Sequence, residues 1–176
     1  IMNNFINDTK LNISNKYLKP GNAFGGSCLP KDVSSIKYIS KKNKINTPLF
    51  SSIELSNSEQ IDFIFNKIKK YQTKKLGFYG ITFKKNTDDC RESPIIKIIS
   101  KLLIEKKSTK IKIYDDNIKL KTLVGTNKQY LYSFIKKPNN YFTNTAKELI
   151  EFAEVIIVNN SLKKKLSFKK DKSFIS

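Results

Sequence analysis

The sequence predicts an α/β fold in which a helical segment, residues 1–71, precedes a domain built on a parallel β-sheet, residues 72–176. Two observations support this prediction. Up to residue 71, apolar residues recur at the three- and four-residue spacing of amphipathic helices. Beyond that point, short apolar runs alternate with helical patterns, and such a strand–helix–strand succession is typical of parallel sheets.

The first segment contains three predicted helices. Residues 1–11 place apolar side chains on one helical face, as at the end of a longer helix. The same spacing predicts a second helix over residues 32–42. Thr47 followed by proline is a typical helix start, so a third helix is expected over residues 48–71. Its apolar pattern breaks at Asn57, which leaves a polar patch over residues 56–60 on the same stretch.

The second segment alternates predicted strands and helices. Three apolar runs have the length and the branched or aromatic composition of strands: residues 76–81, 110–115 and 154–158. The Ser-Pro pair at residues 93–94 predicts a helix start, and the spacing of Thr145 and Glu148 predicts a capping box. Residues 118–124 fit a short helix or a loop, and the pattern over residues 130–141 is ambiguous.

The chain is strongly basic, with 34 lysines and arginines against 15 acidic residues and a formal net charge of +19. Such a charge is typical of nucleic-acid-binding proteins. However, Arg91 is the only arginine, and arginine dominates the recognition of base edges. The lysines are also scattered along the chain. We therefore expect a solvated lysine surface that would favour an anionic small-molecule substrate, and no nucleic-acid partner.

The sequence also excludes several classes of site. The chain contains no histidine, so a histidine-based triad or a histidine-ligated metal is excluded, and no metal is expected. No apolar run approaches the roughly 20 residues that span a bilayer, and no segment has the form of a signal peptide. We therefore predict a cytoplasmic protein without a membrane partner, in which the two cysteines are reduced.

One stretch, residues 20–32, contains three of the six glycines together with Cys28. Glycines before a cysteine allow a tight loop that presents the thiol. If a helix begins near Leu29 and Pro30, the thiol lies at its N-terminus, where the helix dipole and Lys31 favour the thiolate form. A structural loop with a buried, inert cysteine fits the same residues. The local sequence leaves both interpretations open.

A second candidate site follows the first predicted strand. In parallel sheets, ligands bind beyond the carboxyl ends of the strands, and the loop over residues 82–93 occupies that place. It carries Lys84 and Arg91 shortly before a predicted helix N-terminus, an arrangement that binds phosphate groups. A solvated loop that only caps the helix is the alternative.

Two motifs together resemble those of the UDP-glucose/GDP-mannose dehydrogenase family. Residues 25–32, GGSCLPKD, are similar to the catalytic-cysteine motif of that family. Residues 80–84, GITFK, with TDD at 87–89 and RESP at 91–94, are similar to the motif that begins its C-terminal domain. Within the family, the branch that oxidises GDP-mannose is the most similar, on a small set of residues: 11–12, 17, 20–21 and 23–26.

The resemblance implies a fold and a reaction. The second segment would be an incomplete Rossmann-like domain that binds a nucleotide sugar. The reaction would be an oxidation of the C6 alcohol of GDP-mannose to GDP-mannuronate, a precursor of alginate or a similar polysaccharide, with NAD as the cofactor. It would proceed in two steps, through a thiohemiacetal and a thioester on a cysteine. UDP-glucose as the substrate, or a non-catalytic remnant that serves as a dimerisation module, are the alternatives.

The resemblance also implies roles for individual residues. Cys28 matches the nucleophile, and Asp32 matches a nearby carboxylate implicated in hydrolysis. Lys31 and Arg91 match residues that contact NAD. The residues that match substrate contacts are Tyr17, Lys19, Asn22, Gly25 and Lys84.

Three positions depart from the family pattern. Lys19 stands where an arginine is more usual, and lysine cannot hold a phosphate in the bidentate manner of arginine. Asn22 stands where an aromatic residue is common, which weakens the expected apolar contact. Cys90 stands where an aliphatic residue is usual, and we expect it to be a small core residue without a catalytic role.

The resemblance places other parts of the enzyme outside this chain. These are an N-terminal NAD-binding domain, a catalytic lysine and asparagine on the helix before residue 1, and the last strand and helix of the C-terminal domain. We therefore expect the isolated chain to be inactive. We also expect a homodimer that forms through the central helices, with the helix over residues 48–71 as the candidate interface.

Overall fold

A computed structural model describes residues 21–84, 86–105 and 108–159, the single residues 7 and 10, and the backbone of residues 173–175. In chain order, its elements are α1 (Leu29–Lys42), α2 (Pro48–Lys69), β1 (Lys75–Tyr79), α3 (Pro94–Glu105), β2 (Lys110–Tyr114), α4 (Gly125–Phe134), a 3₁₀ turn (Pro138–Asn140), α5 (Ala146–Phe152), β3 (Val155–Val158) and β4 (Ser173–Ile175).

The four strands form one parallel sheet in the order β2-β1-β3-β4. In the centre, Phe78 of β1 lies opposite Ile113 of β2 and Ile157 of β3. The predicted α/β class with a parallel sheet is therefore confirmed. β4 is the strand that the sequence analysis does not predict, since it lies in a lysine-rich stretch without an apolar run.

Helices cover both faces of this sheet. On one face, Phe78 is fully buried in a cluster that includes Phe65 of α2 and Ile99 of α3. On the other face, Tyr79 packs with Leu149 of α5. The last turns of α2 therefore share a core with the sheet, although they precede the predicted division of the chain at residue 71. That division stays a prediction.

The helix predictions are mostly confirmed. α1 begins at Leu29, with Pro30 in its first turn, and α2 covers most of the expected range. The polar residues 56–60 lie within α2, which continues through them. α4 covers part of the stretch that the sequence left ambiguous. The predicted helix over residues 1–11 lies outside the described part of the chain, apart from two isolated positions.

The expected helix caps are formed only in part. The amide of Glu148 donates to Oγ1 of Thr145 at 3.2 Å, which confirms the capping box of α5. Thr47 precedes α2 but makes no side-chain capping bond. The hydroxyl of Ser93 donates instead to the carbonyl of Ile81. Among the helices that the structure describes, none has both the length and the apolar character needed to cross a membrane.

The packing of α5 against the sheet depends on Gly77. A Cβ on this residue would lie 2.7 Å from Cβ of Ala153 and 3.3 Å from Cδ1 of Leu149. We expect Gly77→Ala to lower the free energy of unfolding by about 1–3 kcal/mol, the usual cost of overpacking a core. Gly21→Ala, at a position with nothing within 4 Å, is the control. Equal free energies of unfolding in denaturant titrations of the two variants would contradict this packing.

Candidate active site

The cysteine loop, residues 24–28, leads directly into α1. Cys28 is the residue that precedes the helix, and its side chain is exposed. Its carbonyl accepts a hydrogen bond from the amide of Asp32 at 2.9 Å, within the first turn. The structure therefore places an exposed thiol at a helix N-terminus, and the alternative of a buried cysteine is wrong for Cys28.

The cysteine loop rests on the β1–α3 loop, residues 80–93. The amide of Gly26 donates to the carbonyl of Arg91 at 3.1 Å. A Cβ on Gly25 would lie 2.1 Å from the carbonyl oxygen of Glu92. A Cβ on Gly26, where φ is 84°, would lie 2.6 Å from the ring of Phe83. Both positions therefore require glycine, because a side chain would separate the two loops.

The start of the β1–α3 loop is fixed by side chains from three places. The buried carboxylate of Asp115 accepts hydrogen bonds from the amides of Ile81 and Thr82 at 2.7 and 3.0 Å. Ser93 donates to the carbonyl of Ile81 at 2.7 Å, and Asn159 donates to the carbonyl of Thr82 at 3.1 Å. All four backbone groups of this dipeptide are therefore paired, which holds the chain as it approaches Lys84.

Arg91 is held in place by a bidentate pair with Asp89. Nε of Arg91 donates to Oδ1 at 2.9 Å, and Nη2 donates to Oδ2 at 2.8 Å. These bonds hold the pKa of the Asp89 carboxyl below its usual value. The same carboxylate raises the pKa of Arg91, with a smaller electrostatic contribution from Cys28. The backbone of Arg91 meets the cysteine loop at Gly26, two residues before Cys28.

An open cleft of about 690 Å³ separates α1 from α4, and both Lys31 and Arg91 line it. The two cations that the family resemblance relates to NAD therefore share one cavity. Ser27, the neighbour of Cys28 in the chain, also lines the cleft. Tyr130 of α4 contributes to the opposite wall, and its buried hydroxyl has no partner among the described residues. Burial raises the pKa of Tyr130, so the hydroxyl stays protonated and can donate.

The other predicted site residues that the structure describes lie outside the lining of this cleft. Asn22 lines a second cavity of about 450 Å³, between the cysteine loop and α2. Lys84 is exposed. The close approach at Gly25 is to the backbone of the β1–α3 loop, a contact within the chain. Tyr17 and Lys19 lie outside the described residues. Their roles in substrate binding stay predictions.

Cys90 is a core residue, as predicted. Its side chain is fully buried, and Sγ donates to the carbonyl of Asn127 at 3.3 Å. Burial raises the pKa of the Cys90 thiol to about 12, which makes it a poor nucleophile at neutral pH. In the part of the chain covered by the structure, no group of three acidic or cysteine side chains is arranged to hold a metal ion.

Sequence reasoning missed the side chains that position the two loops. Asn57 of α2 binds the backbone of Phe24, Asp115 binds the start of the β1–α3 loop, and Asp89 holds Arg91. The available signal for Asn57 was the polar run within an otherwise apolar helix. For Asp115, the signal was a carboxylate at the end of a buried strand. Backbone groups just beyond a strand end have no neighbouring strand to pair with, and a carboxylate there can accept from them.

The sequence of this chain matches two models of one protein family. The model of the UDP-glucose/GDP-mannose dehydrogenase family, UDP binding domain, matches residues 77–172. The model of the central domain of the same family matches residues 2–59.

Curated relatives match most of this chain with part of their own length. The GDP-mannose 6-dehydrogenase of Pseudomonas aeruginosa is 35% identical over 160 residues, which are 91% of this chain and 36% of that protein. The UDP-glucose 6-dehydrogenase of Rickettsia bellii is 36% identical over 133 residues, which are 70% of this chain and 30% of that protein. The chain thus spans about a third of the length of the curated relatives it matches.

Two solved structures are similar to this fold. A ternary complex of GDP-mannose dehydrogenase from Pseudomonas aeruginosa has a TM-score of 0.77 and 32% identity, covering 98% of this chain and 40% of that one. A UDP-glucose dehydrogenase from Pyrobaculum islandicum has a TM-score of 0.64 and 19% identity, covering 89% of this chain and 34% of that one. At this identity, the similarity supports the fold alone. The predicted Rossmann-like class is confirmed.

The pair of Asp89 and Arg91 predicts a pH-dependent contribution to stability. The folded protein holds the pKa of Asp89 below its unfolded value of about 4. The contribution is therefore present above that pH and is lost as the pH falls through the lower, folded value. At neutral pH, we expect Asp89→Asn to lower the free energy of unfolding by about 0.5–1 kcal/mol, a small value because solvent screens the 40%-exposed Arg91.

Denaturant titrations of wild type, Asp89→Asn and the exposed control Asp88→Asn measure this difference. The difference between wild type and Asp89→Asn should vanish at a pH below both pKa values of Asp89. A difference that persists at that pH, or an equal loss in Asp88→Asn, would contradict the pairing.

Proposed function

The chain belongs to the UDP-glucose/GDP-mannose dehydrogenase family, and we propose that it forms the cysteine-bearing and nucleotide-sugar-binding part of an NAD-dependent nucleotide-sugar 6-dehydrogenase. One observation supports this proposal most directly. The loop that carries Cys28 rests on the loop that carries Arg91, so that a thiol and a guanidinium group belong to two loops in direct contact. An oxidation that passes through a thiol adduct of an anionic substrate needs this combination.

In the proposed reaction, Cys28 is the nucleophile. Once the C6 alcohol has lost a hydride and a proton, Sγ attacks the resulting aldehyde carbon and forms a thiohemiacetal. Loss of a second hydride gives a thioester, and attack by water releases the carboxylate and restores the thiol. Asp32 lies one turn further along α1 and is the proposed group that orients this water. The exposure of Cys28 admits the sugar.

The cleft between α1 and α4 fits the pyrophosphate of NAD. Lys31 supplies an ammonium group, and Arg91 retains guanidinium donors beyond those that bind Asp89. Bound NAD supplies the hydride acceptor. Because this chain spans only about a third of its relatives, we propose that a separate NAD-binding domain completes the site, and that the chain alone is inactive.

GDP-mannose is the proposed substrate. The GDP-mannose 6-dehydrogenase of Pseudomonas aeruginosa matches 91% of this chain, whereas the UDP-glucose 6-dehydrogenase of Rickettsia bellii matches 70%. Lys84 is the proposed contact to the sugar nucleotide, with Tyr17, Lys19, Asn22 and Gly25 on the preceding segment. UDP-glucose remains the second candidate, since the matched C-terminal model is named for UDP binding.

A homodimer in the cytoplasm is the proposed form of the complete enzyme. α2 is the proposed interface, because it exposes Leu55 and Phe63 at 62% and 63% of their surface. Large apolar side chains on one element are typical of a surface that another protein covers.

Mixing this chain with the NAD-binding domain of a relative, NAD and a nucleotide sugar tests the proposal. We expect NADH to form with GDP-mannose faster than with UDP-glucose, and Cys28→Ser to lower turnover by about 10³-fold or more, as loss of a nucleophile does. Cys90→Ala is the matched control, since its thiol is buried, and it should retain turnover. A fully active Cys28→Ser variant would refute the mechanism, and faster NADH formation with UDP-glucose would select the second substrate.

A further inference from the structure

We propose that Asn57 is a positioning residue for Cys28, which acts through the backbone of the cysteine loop. The inference rests on the proposed function only in taking Cys28 as the nucleophile. Asn57 lies in the middle of α2 and is remote from Cys28 in the sequence. Its side chain nevertheless makes the hydrogen bonds that attach the cysteine loop to that helix.

The side-chain amide of Asn57 binds both backbone groups of one residue, Phe24. The backbone N–H of Phe24 donates to Oδ1 at 2.7 Å, and Nδ2 donates to the backbone carbonyl of Phe24 at 3.0 Å. The side chain therefore pairs with Phe24 as a neighbouring strand would, with one donor and one acceptor. A second, longer bond from Nε2 of Gln60 to the carbonyl of Gly21, at 3.4 Å, lies on the same side of α2.

α2 is a firm support for this attachment. Over the three turns that follow Asn57, α2 buries Ile61, Phe65 and Ile68 in the main core, in the same cluster as residues of the sheet. The position of Asn57 is therefore set by the core. Its two hydrogen bonds transmit that position to Phe24.

The cysteine loop is consequently held at two points on either side of Gly25. Asn57 holds Phe24 from α2, and the carbonyl of Arg91 holds the amide of Gly26 from the β1–α3 loop. Cys28 follows two residues later. Without the bonds to Asn57, the loop keeps its attachment at Gly26 but loses the one at Phe24, so the thiol is held less firmly relative to Arg91.

Asn57→Asp is the sharpest test of this role. The variant keeps an acceptor for the Phe24 amide but replaces the donor by a carboxylate oxygen that faces the Phe24 carbonyl. We expect hydrogen exchange at the amides of both Phe24 and Gly26, followed by NMR on this chain, to accelerate about tenfold or more, the factor that corresponds to one net hydrogen bond. Asn66→Asp, at an exposed position of the same helix, is the control and should change neither rate.

Asn57 makes no hydrogen bond to the amide of Gly26. The exchange rate at that amide therefore shows whether Asn57 positions the whole cysteine loop or only Phe24. Faster exchange at Phe24 with an unchanged rate at Gly26 would overturn the inference. The buried thiol of Cys90 reports on global unfolding. If Cys90 is alkylated in Asn57→Asp as fast as Cys28, the variant is unfolded. Asn57→Ser, which has a shorter side chain and introduces no charge, then replaces it. This second variant must accelerate exchange at both amides, or the inference fails.

Turnover in the mixture with the NAD-binding domain provides the functional test. We expect Asn57→Asp to lower kcat about tenfold or more and to leave KM for the nucleotide sugar nearly unchanged, since the side chain of Asn57 hydrogen-bonds to Phe24, which is not a proposed substrate contact. If Cys28→Ser is inactive but Asn57→Asp has the kcat of wild type, the positioning role of Asn57 is refuted and the proposed function stands. If Cys28→Ser is fully active, the proposed function fails as well.

Discussion

The contact between two backbone segments at successive glycines is the constraint on which the site depends. At Gly25, the space that a side chain would occupy is taken by the carbonyl of Glu92 and the ring of Pro94. At Gly26, it is taken by the ring of Phe83. Any larger residue would hold the cysteine loop away from the β1–α3 loop. Cys28 and Arg91 therefore lie at one site because these two positions have no side chains.

The β1–α3 loop makes this contact with a strained backbone at Glu92. Glu92 has a φ of 51°, and a left-handed backbone costs roughly 1–2 kcal/mol for a residue with a Cβ. Its side chain pairs with Lys97 of α3 at 2.6 Å, and Asp89 holds the neighbouring Arg91. The buried carboxylate of Asp115 anchors the other end of the loop. These partners preserve a shape that presents the Glu92 carbonyl to Gly25.

Much of the fold follows from local patterns in the sequence. The first predicted strand, residues 76–81, is observed as Lys75–Tyr79, and α1 begins where Pro30 in a first turn indicates. Such features are set by the periodicity of apolar residues and by the stereochemistry of proline. α4 escaped prediction because it begins at Gly125, with a φ of 60°, and buries only Leu131. Neither feature is typical of a helix.

The sequence predicted the reactive and charged groups of the site but not the residues that position them. The sequence identified Cys28, Lys31 and Arg91 through their motifs, and the structure brings Lys31 and Arg91 to one cleft, with the loop of Cys28 bound to the backbone of Arg91 at Gly26. It did not identify Asn57 or Asp115. Each binds backbone groups that are 33 or 34 residues away, and such a pairing leaves no periodic trace in the sequence. Only the folded chain shows which backbone groups need these partners.

Nuclear Overhauser contacts between Gly26 and Phe83 provide the decisive test of the contact between the two loops. We expect contacts between the Hα protons of Gly26 and the ring protons of Phe83 in this chain, together with a ring-current shift of those Hα resonances. Contacts between Phe78 and Ile113, within the sheet, serve as the reference for a folded sample. If the sheet contacts are present and Gly26 shows no contact to Phe83, the two loops do not meet in solution, and the shared site of Cys28 and Arg91 is refuted.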